Sequence, residues 1–372
     1  MKVFVLSSSR ADYSIFYPLL KALHADKEFE LKVIAFGTHL SEKFGRTEKI
    51  IEKDGFDISH RIETLPLGDS PLDISAAIGT TIKLFAPVWK EIADSGALVI
   101  ALGDRYEMFA AVMASVPFSI KVAHIHGGEE TLGAIDNIFR HSITHAARIH
   151  FASTPKSAQR ISQIKGSSEG VHKVGSLSID SLQTMKLLND VEFEQRFGIA
   201  IRNPVLVTFH PETVEYNRNS FFVDELIAAL SDMEQQIIIT MPNADTMGTL
   251  VRDRFISFAK DRENVKVVES FGREGYFSCL SLCDFVLGNS SSGIIEAASF
   301  RKYVINIGDR QKGREAGANV IHCEISHKRI IEACLSIRNL PSLLPDNIYY
   351  SGGAATKITD ILKQYFRTKS MK

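Results

Sequence analysis

Short, unbroken apolar runs alternate with amphipathic stretches along the whole chain. MKVFVLSSS reads as a buried strand entering a loop, and apolar residues at helical spacing follow from Phe16 to Ala25. LKVIAFG (Leu31 to Gly37), ALVIALGD (Ala97 to Asp104) and IKVAHIHGG (Ile120 to Gly128) are further strands, and ARIHFAST follows a helix containing Arg140 to His145. The rhythm restarts after residue 200 with PVLVTFHP, QIIITMPNAD, NVKVVES, CDFVLGNSSSG and YVINIGD. Strands without polar alternation, separated by helices, predict parallel sheets covered on both faces. The pattern therefore predicts an α/β protein of two Rossmann-like domains facing across a cleft. Their boundaries fall at residues 1–175 and 176–353, with the Gly- and Ser-rich stretch 166–180 as the linker. A last helix, from about Ala354 to Phe366 within 354–372, is free to pack back on the first domain.

Composition narrows the function without naming it. The 372 residues suit about two domains. A net charge of −1 argues against nucleic acid as a partner. No run of apolar residues is long enough for a membrane span or a signal-peptide core, so a cytoplasmic protein is expected. Four cysteines are too few for a disulfide framework at this length.

In open α/β sheets the ligand sits beyond the carboxyl ends of the strands. The residues there form three groups. Ser7 to Ser14 carry Arg10, placed to grip a phosphate, and Asp12, which either orients that guanidinium or starts the following helix. Asp104 and Arg105 end one strand, His124, His126 and Glu129 end another, and Asp136, Arg140, His141 and His145 follow. Carboxylates among basic neighbours suit acid–base chemistry, because mutual fields separate their pKa values. The His124/His126 and His141/His145 pairs invite a metal, but the two-half pattern is not that of a metal-dependent barrel, so no metal is expected. His145 and His150 read as packed or helix-end histidines. The third group lies in the second half. Small residues in GNSSSGIIEA let backbone N–H groups approach an anion at a helix start, with Ser290, Ser291 and Gly293 as contacts and Glu296 facing a ribose. The competing reading is an ordinary N-cap with Glu296 closing a capping box. His210, Asn243 and the glycine-rich loop holding Arg310, Gln311, Lys312 and Arg314 end neighbouring strands.

These motifs together resemble the hydrolysing branch of the UDP-N-acetylglucosamine 2-epimerase family. The resemblance rests on Arg-Ala-Asp-Tyr, Gly-Asp-Arg at 103–105, His-Gly-Gly-Glu at 126–129, Ile-Asp-Asn through Arg140-His141, His210-Pro211, Pro-Asn-Ala-Asp at 242–245, Gly-Asn-Ser-Ser-Ser-Gly and Arg-Gln-Lys-Gly-Arg. Two departures stand out: Asn137 where a second Asp is common, and the bulkier Glu-Thr-Leu after Gly-Gly-Glu. The resemblance implies a glycosyltransferase-B-like fold, a homodimer and no cofactor. It also implies elimination of UDP from UDP-N-acetylglucosamine and hydration of the resulting 2-acetamidoglucal to N-acetylmannosamine, for sialic-acid-type sugar synthesis. On that reading Asp104, Glu129, Asp136 and His210 are catalytic. Arg10, Asn243, Ser290, Ser291, Gly293, Glu296 and Arg310 hold the nucleotide diphosphate. Asp12, Arg105, His126, Arg140, His141 and Arg314 stand at the sugar or behind these groups. The nearest alternative is the same reaction on a UDP- or GDP-linked 2,4-diacetamido-2,4,6-trideoxyglucose, for legionaminic acid. A glycosyltransferase and a non-catalytic nucleotide-sugar binder are more distant alternatives.

Overall fold

A computed structural model describes residues 1–66, 68–180, 182, 185–242 and 247–370. The chain divides into two compact units. Unit 1 comprises Met1–Glu129, Asp136–Ser181 and Tyr349–Lys372, and unit 2 comprises Glu130–Ile135 and Leu182–Ile348.

Unit 1 is built on seven parallel strands: β1 (Lys2–Ser7), β2 (Glu30–Phe36), β3 (Ile58–Ile62), β4 (Leu98–Leu102), β5 (Lys121–Ile125), β6 (Ile149–Ala152) and β7 (Val171–Lys173). Their order is β3-β2-β1-β4-β5-β6-β7. Alternate side chains feed two separate cores, Val3, Val5, Val33 and Ile100 on one face and Phe4, Leu6, Ile34 and Val99 on the other. Burial on both faces is why these strands carry no polar alternation.

Unit 2 repeats the plan with six parallel strands: β8 (Val205–Thr208), β9 (Ile237–Thr240), β10 (Val265–Val268), β11 (Phe285–Gly288), β12 (Val304–Ile307) and β13 (Val320–Cys323). The order is β10-β9-β8-β11-β12-β13. Each sheet therefore reverses direction once, between β1 and β4 and between β8 and β11. These reversals open the crevices in which such sheets bind ligands.

Two features depart from the sequence reading, and the place of the final helix accords with it. The stretch predicted as a linker carries β7 and a short helix, Leu177–Asp180, both in unit 1. Its glycines and serines serve turns within the unit: Gly170 has φ +72°, and an added Cβ would stand 2.7 Å from the Arg148 carbonyl. The strands β3, β7 and β13 have no counterpart in the apolar runs read from the sequence. All three are edge strands, partly exposed along their length, so their sequences (ISHRI, VHK, VIHC) lack the apolar run of the inner strands. The final helix, Ala354–Ser370, belongs to unit 1. Ile358 and Leu362 enter the core that Leu19, Leu20 and Leu23 supply from the helix Arg10–Ala25. Its first backbone N–H groups, on Ala354 and Ala355, donate to the Asp180 carboxylate at 2.8 and 2.6 Å.

Candidate active site

The three central strands of unit 1 deliver its candidate residues. After β1, Ser9 caps the helix Arg10–Ala25, so Arg10 is the first helical residue. The Asp12 carboxylate accepts from the Ser8 amide and hydroxyl at 2.8 Å each, from the Ser7 hydroxyl at 2.8 Å, and from the Ser9 amide at 3.1 Å. Asp12 closes a capping box with Ser9, the helix-starting role read for it. Its pKa is lowered: the hydrogen bonds and the His39 ring outweigh a large opposing effect of burial.

Beyond β4 and β5 a buried guanidinium gathers the carboxylate cluster. Arg140 is 1% exposed. It pairs with the Asp104 carboxylate and donates to the Glu129 carbonyl at 2.8 Å and to the Asn137 side-chain oxygen at 3.2 Å. The departure at residue 137 thus supplies a neutral acceptor where a second carboxylate would add charge. The Glu129 carboxylate is buried and accepts from the Ser153 hydroxyl at 2.6 Å. His126, at φ +63°, sets its Nδ1 3.8 Å from that carboxylate and its Nε2 3.3 Å from the Ser176 hydroxyl. Asp136 opens the helix Asp136–Ala146, one turn before Arg140, and His141 lies half-buried on the same helix. Arg105 instead forks onto the buried Glu107, at 2.9 and 3.2 Å.

His124 lies underneath. Its Nε2 donates to the Gly103 carbonyl at 2.8 Å, holding the turn that carries Asp104, and its Nδ1 is 3.2 Å from the Thr144 hydroxyl. Burial pushes its pKa down to about 4, so the ring is neutral. Its nitrogens therefore serve the scaffold. Among the described residues no three His, Cys, Asp or Glu side chains gather as metal ligands. His145 ends its helix exposed, and His150 is fully buried on β6.

In unit 2 the organiser is Asn289, just past β11. Its side chain accepts from the His210 amide at 2.7 Å and donates to the His210 carbonyl at 2.8 Å. Its own carbonyl accepts from Gln311 at 3.0 Å and Arg310 at 3.4 Å. One residue thus ties together the ends of β8, β11 and β12. Close approach is possible because Gly288 lacks a side chain: at φ +143°, a Cβ there would meet the Thr208 carbonyl at 2.0 Å. Ser290 is the N-cap of the one-turn helix Ser291–Ile295, and Ser292 bonds to Tyr276. Glu296 follows that turn at its C-terminal end, so no capping box forms with it. Gly293 is a packing glycine, since a Cβ would press on Val304 at 2.9 Å. Glu212, with a pKa raised mainly by burial, accepts from the Asp309 amide at 2.7 Å and holds the loop that carries Arg310 and Arg314. Lys312 pairs with Asp309, which leaves that loop less cationic than its sequence suggests. Asn243 and Asp245 lie outside the described residues.

The model of the family described as UDP-N-acetylglucosamine 2-epimerase matches residues 21–363. The chain belongs to this family. It is 32% identical to the UDP-N,N'-diacetylbacillosamine 2-epimerase (hydrolyzing) of Legionella pneumophila over 363 residues, covering 97% of this chain and 95% of that one. It is also 32% identical to the GDP/UDP-N,N'-diacetylbacillosamine 2-epimerase (hydrolyzing) of Campylobacter jejuni over 328 residues, or 87% and 85% of the two chains. Among solved structures, the Methanocaldococcus jannaschii UDP-GlcNAc 2-epimerase in complex with UDP-GlcNAc and UDP superposes with a TM-score of 0.82 at 18% identity, covering 98% and 100%. That likeness shows the glycosyltransferase-B-like fold expected from the sequence.

Within this epimerase, several residues of the site were not singled out from the sequence. Ser153, Glu212 and Asn289 work through hydrogen bonds to partners 24, 97 and 79 positions away. Only the position just after a strand could have marked Ser153 and Asn289. The six residues 130–135 between Glu129 and Asp136 belong to unit 2, where the Leu132 amide donates to the Lys312 carbonyl at 2.8 Å and the Ile135 amide to the Thr213 hydroxyl at 3.0 Å.

Proposed function

We propose that this epimerase hydrolyses a nucleotide-linked 2-acetamido sugar with inversion at C2, and that a UDP- or GDP-linked 2,4-diacetamido-2,4,6-trideoxyglucose is its substrate. The observation that carries the chemistry is the Asp104–Arg140–Glu129 cluster at the ends of adjacent strands. A carboxylate takes the C2 proton, the C2–H electron pair forms the C1–C2 double bond, and the C1–O bond breaks to release the nucleoside diphosphate. Water then adds its oxygen to C1 while a proton reaches C2 from the opposite face. Asp104 and Glu129 serve the elimination and Asp136 the hydration. His210 stabilises the leaving oxygen. Arg10, Ser290, Ser291 and Arg310 bind the diphosphate and offset its developing charge. Glu296 and Asn243 act on the nucleoside, and Asp12, His126, His141, Arg105 and Arg314 support these groups.

The choice of sugar is supported by the names of the two relatives at 32% identity, both diacetylbacillosamine epimerases. UDP-N-acetylglucosamine, going to N-acetylmannosamine, is the second reading. It is supported by the description of the matching family model. Incubation with each nucleotide sugar in D2O, followed by NMR, tests both. The expected product is a free 2-epimeric sugar carrying deuterium at C2. Absence of that deuterium rules out the elimination, and turnover of UDP-N-acetylglucosamine alone selects the second reading. The enzyme is further proposed to be a cytoplasmic homodimer. Light scattering at a monomer mass would refute that.

A further inference from the structure

The turn that presents Arg10 is held by a chain of buried polar groups that the reaction does not use. Ser7, Ser8, Thr38, His39 and Thr47 are all at most 7% exposed. The Ser7 hydroxyl has one proton and gives it to Asp12, so its 2.9 Å contact with His39 Nε2 is an N–H donated by the ring. The other ring nitrogen, Nδ1, is 2.8 Å from the Thr47 hydroxyl. From the far side, the amide and hydroxyl of Thr38 both donate to the Ser8 carbonyl, at 2.9 and 3.1 Å. Gly37 lets that backbone close in, because a Cβ there would stand 2.7 Å from the same carbonyl. A capping box needs only Ser9 and Asp12, which are both present and engaged. Burying an imidazole and two more hydroxyls behind it is costly unless each is satisfied, and here each is.

We propose that His39 is a positioning residue for substrate binding: through Ser7 and Asp12 it fixes the Ser8–Arg10 turn, and so the direction in which Arg10 meets the diphosphate. This rests on the role proposed above for Arg10. His39 itself touches no substrate.

The test is a double-mutant cycle on nucleotide affinity, using whichever of UDP and GDP binds the wild-type enzyme more tightly. His39→Phe keeps the ring and removes both hydrogen bonds. It is expected to raise Kd and KM about tenfold, the size of one lost charge-assisted interaction, with a smaller change in kcat. His39→Gln, which restores a donor near the Nε2 position, is expected to recover most of the loss. In an Arg10→Ala background, His39→Phe should add no further loss. An additive loss, or a His39→Phe enzyme with wild-type affinity beside a weakened Arg10→Ala enzyme, overturns the inference alone. An Arg10→Ala enzyme with wild-type affinity overturns the role of Arg10 and this inference together. If His39→Phe fails to fold, Thr47→Val, which removes only the outer hydrogen bond, carries the same cycle with a smaller expected loss in the same direction.

Discussion

Glu129 separates the chemistry from the scaffold more cleanly than any other residue of the site. Its carbonyl holds Arg140 and its carboxylate accepts from Ser153, so only the second is exposed to substitution. Glu129→Gln keeps the shape and an oxygen able to accept from Ser153, while removing the proposed base. Turnover is therefore expected to fall roughly 10²–10⁴-fold, as for loss of a general base, with the thermal midpoint nearly unchanged. A variant that releases the nucleoside diphosphate at the wild-type rate would remove Glu129 from the elimination. At this scale the sequence marked Arg10, Asp104, Glu129 and Ser290 as strand-end residues, and the structure has them just beyond their strands. The sequence was silent on His39 and Ser153, and it offered Asn289 only as part of Gly-Asn-Ser-Ser-Ser-Gly, because their roles arise from partners far along the chain. It also could not assign Asp12 to the helix start until its four donors were located.

Elements are joined here by single polar side chains, which makes those joints testable. Asn289 bonds both backbone groups of His210, tying β8 to β11. Asn289→Ala leaves a buried N–H and C=O unpaired, at about 1–3 kcal/mol each, and frees the loop carrying Arg310. A drop of several kcal/mol in the stability of unit 2, together with weaker nucleotide binding, is expected from urea unfolding and calorimetry; wild-type values in both would refute the organising role. In unit 1, Asp180 caps the final helix from 174 positions away. Asp180→Ala is expected to cost about 1–2 kcal/mol, as for a lost N-cap, and to speed hydrogen exchange of residues 354–358 ahead of the rest of the unit. Uniform exchange would show that Leu362 and Ile358 hold the helix without the cap. The inner strands were legible because burial on both faces imposes an apolar run. The edge strands β3, β7 and β13 and the supposed linker were not, although the edge strand β10 was. An edge strand needs no such run, and the glycines of a turn look like those of a linker.

For the molecule as a whole, the net charge of −1 conceals a buried histidine pair that weakens it in acid. His124 and His150 stand side by side on β5 and β6. Burial pushes their pKa values down to about 4 and about 3, against 6.5 for a free ring. The unfolded chain therefore binds protons below pH 6.5 that the folded chain refuses. The pair has no effect on stability above about pH 7.5. As pH falls from 6.5 toward 4, it lowers stability by about 1.4 kcal/mol per pH unit for each ring, and the full loss is reached only below the folded pKa values. The chain's one tryptophan reports on this selectively. Trp89 lies in unit 1, fully buried, with its indole N–H donating to the Ala111 carbonyl at 2.9 Å. Urea midpoints read from its fluorescence should fall steeply between pH 6.5 and 4.5. His150→Phe removes one of the two protons from the balance and should flatten that slope by about half of the pair's contribution. A slope equal to that of the wild type would show that His150 is protonated in the folded protein, and that burial in β6 does not hold it neutral.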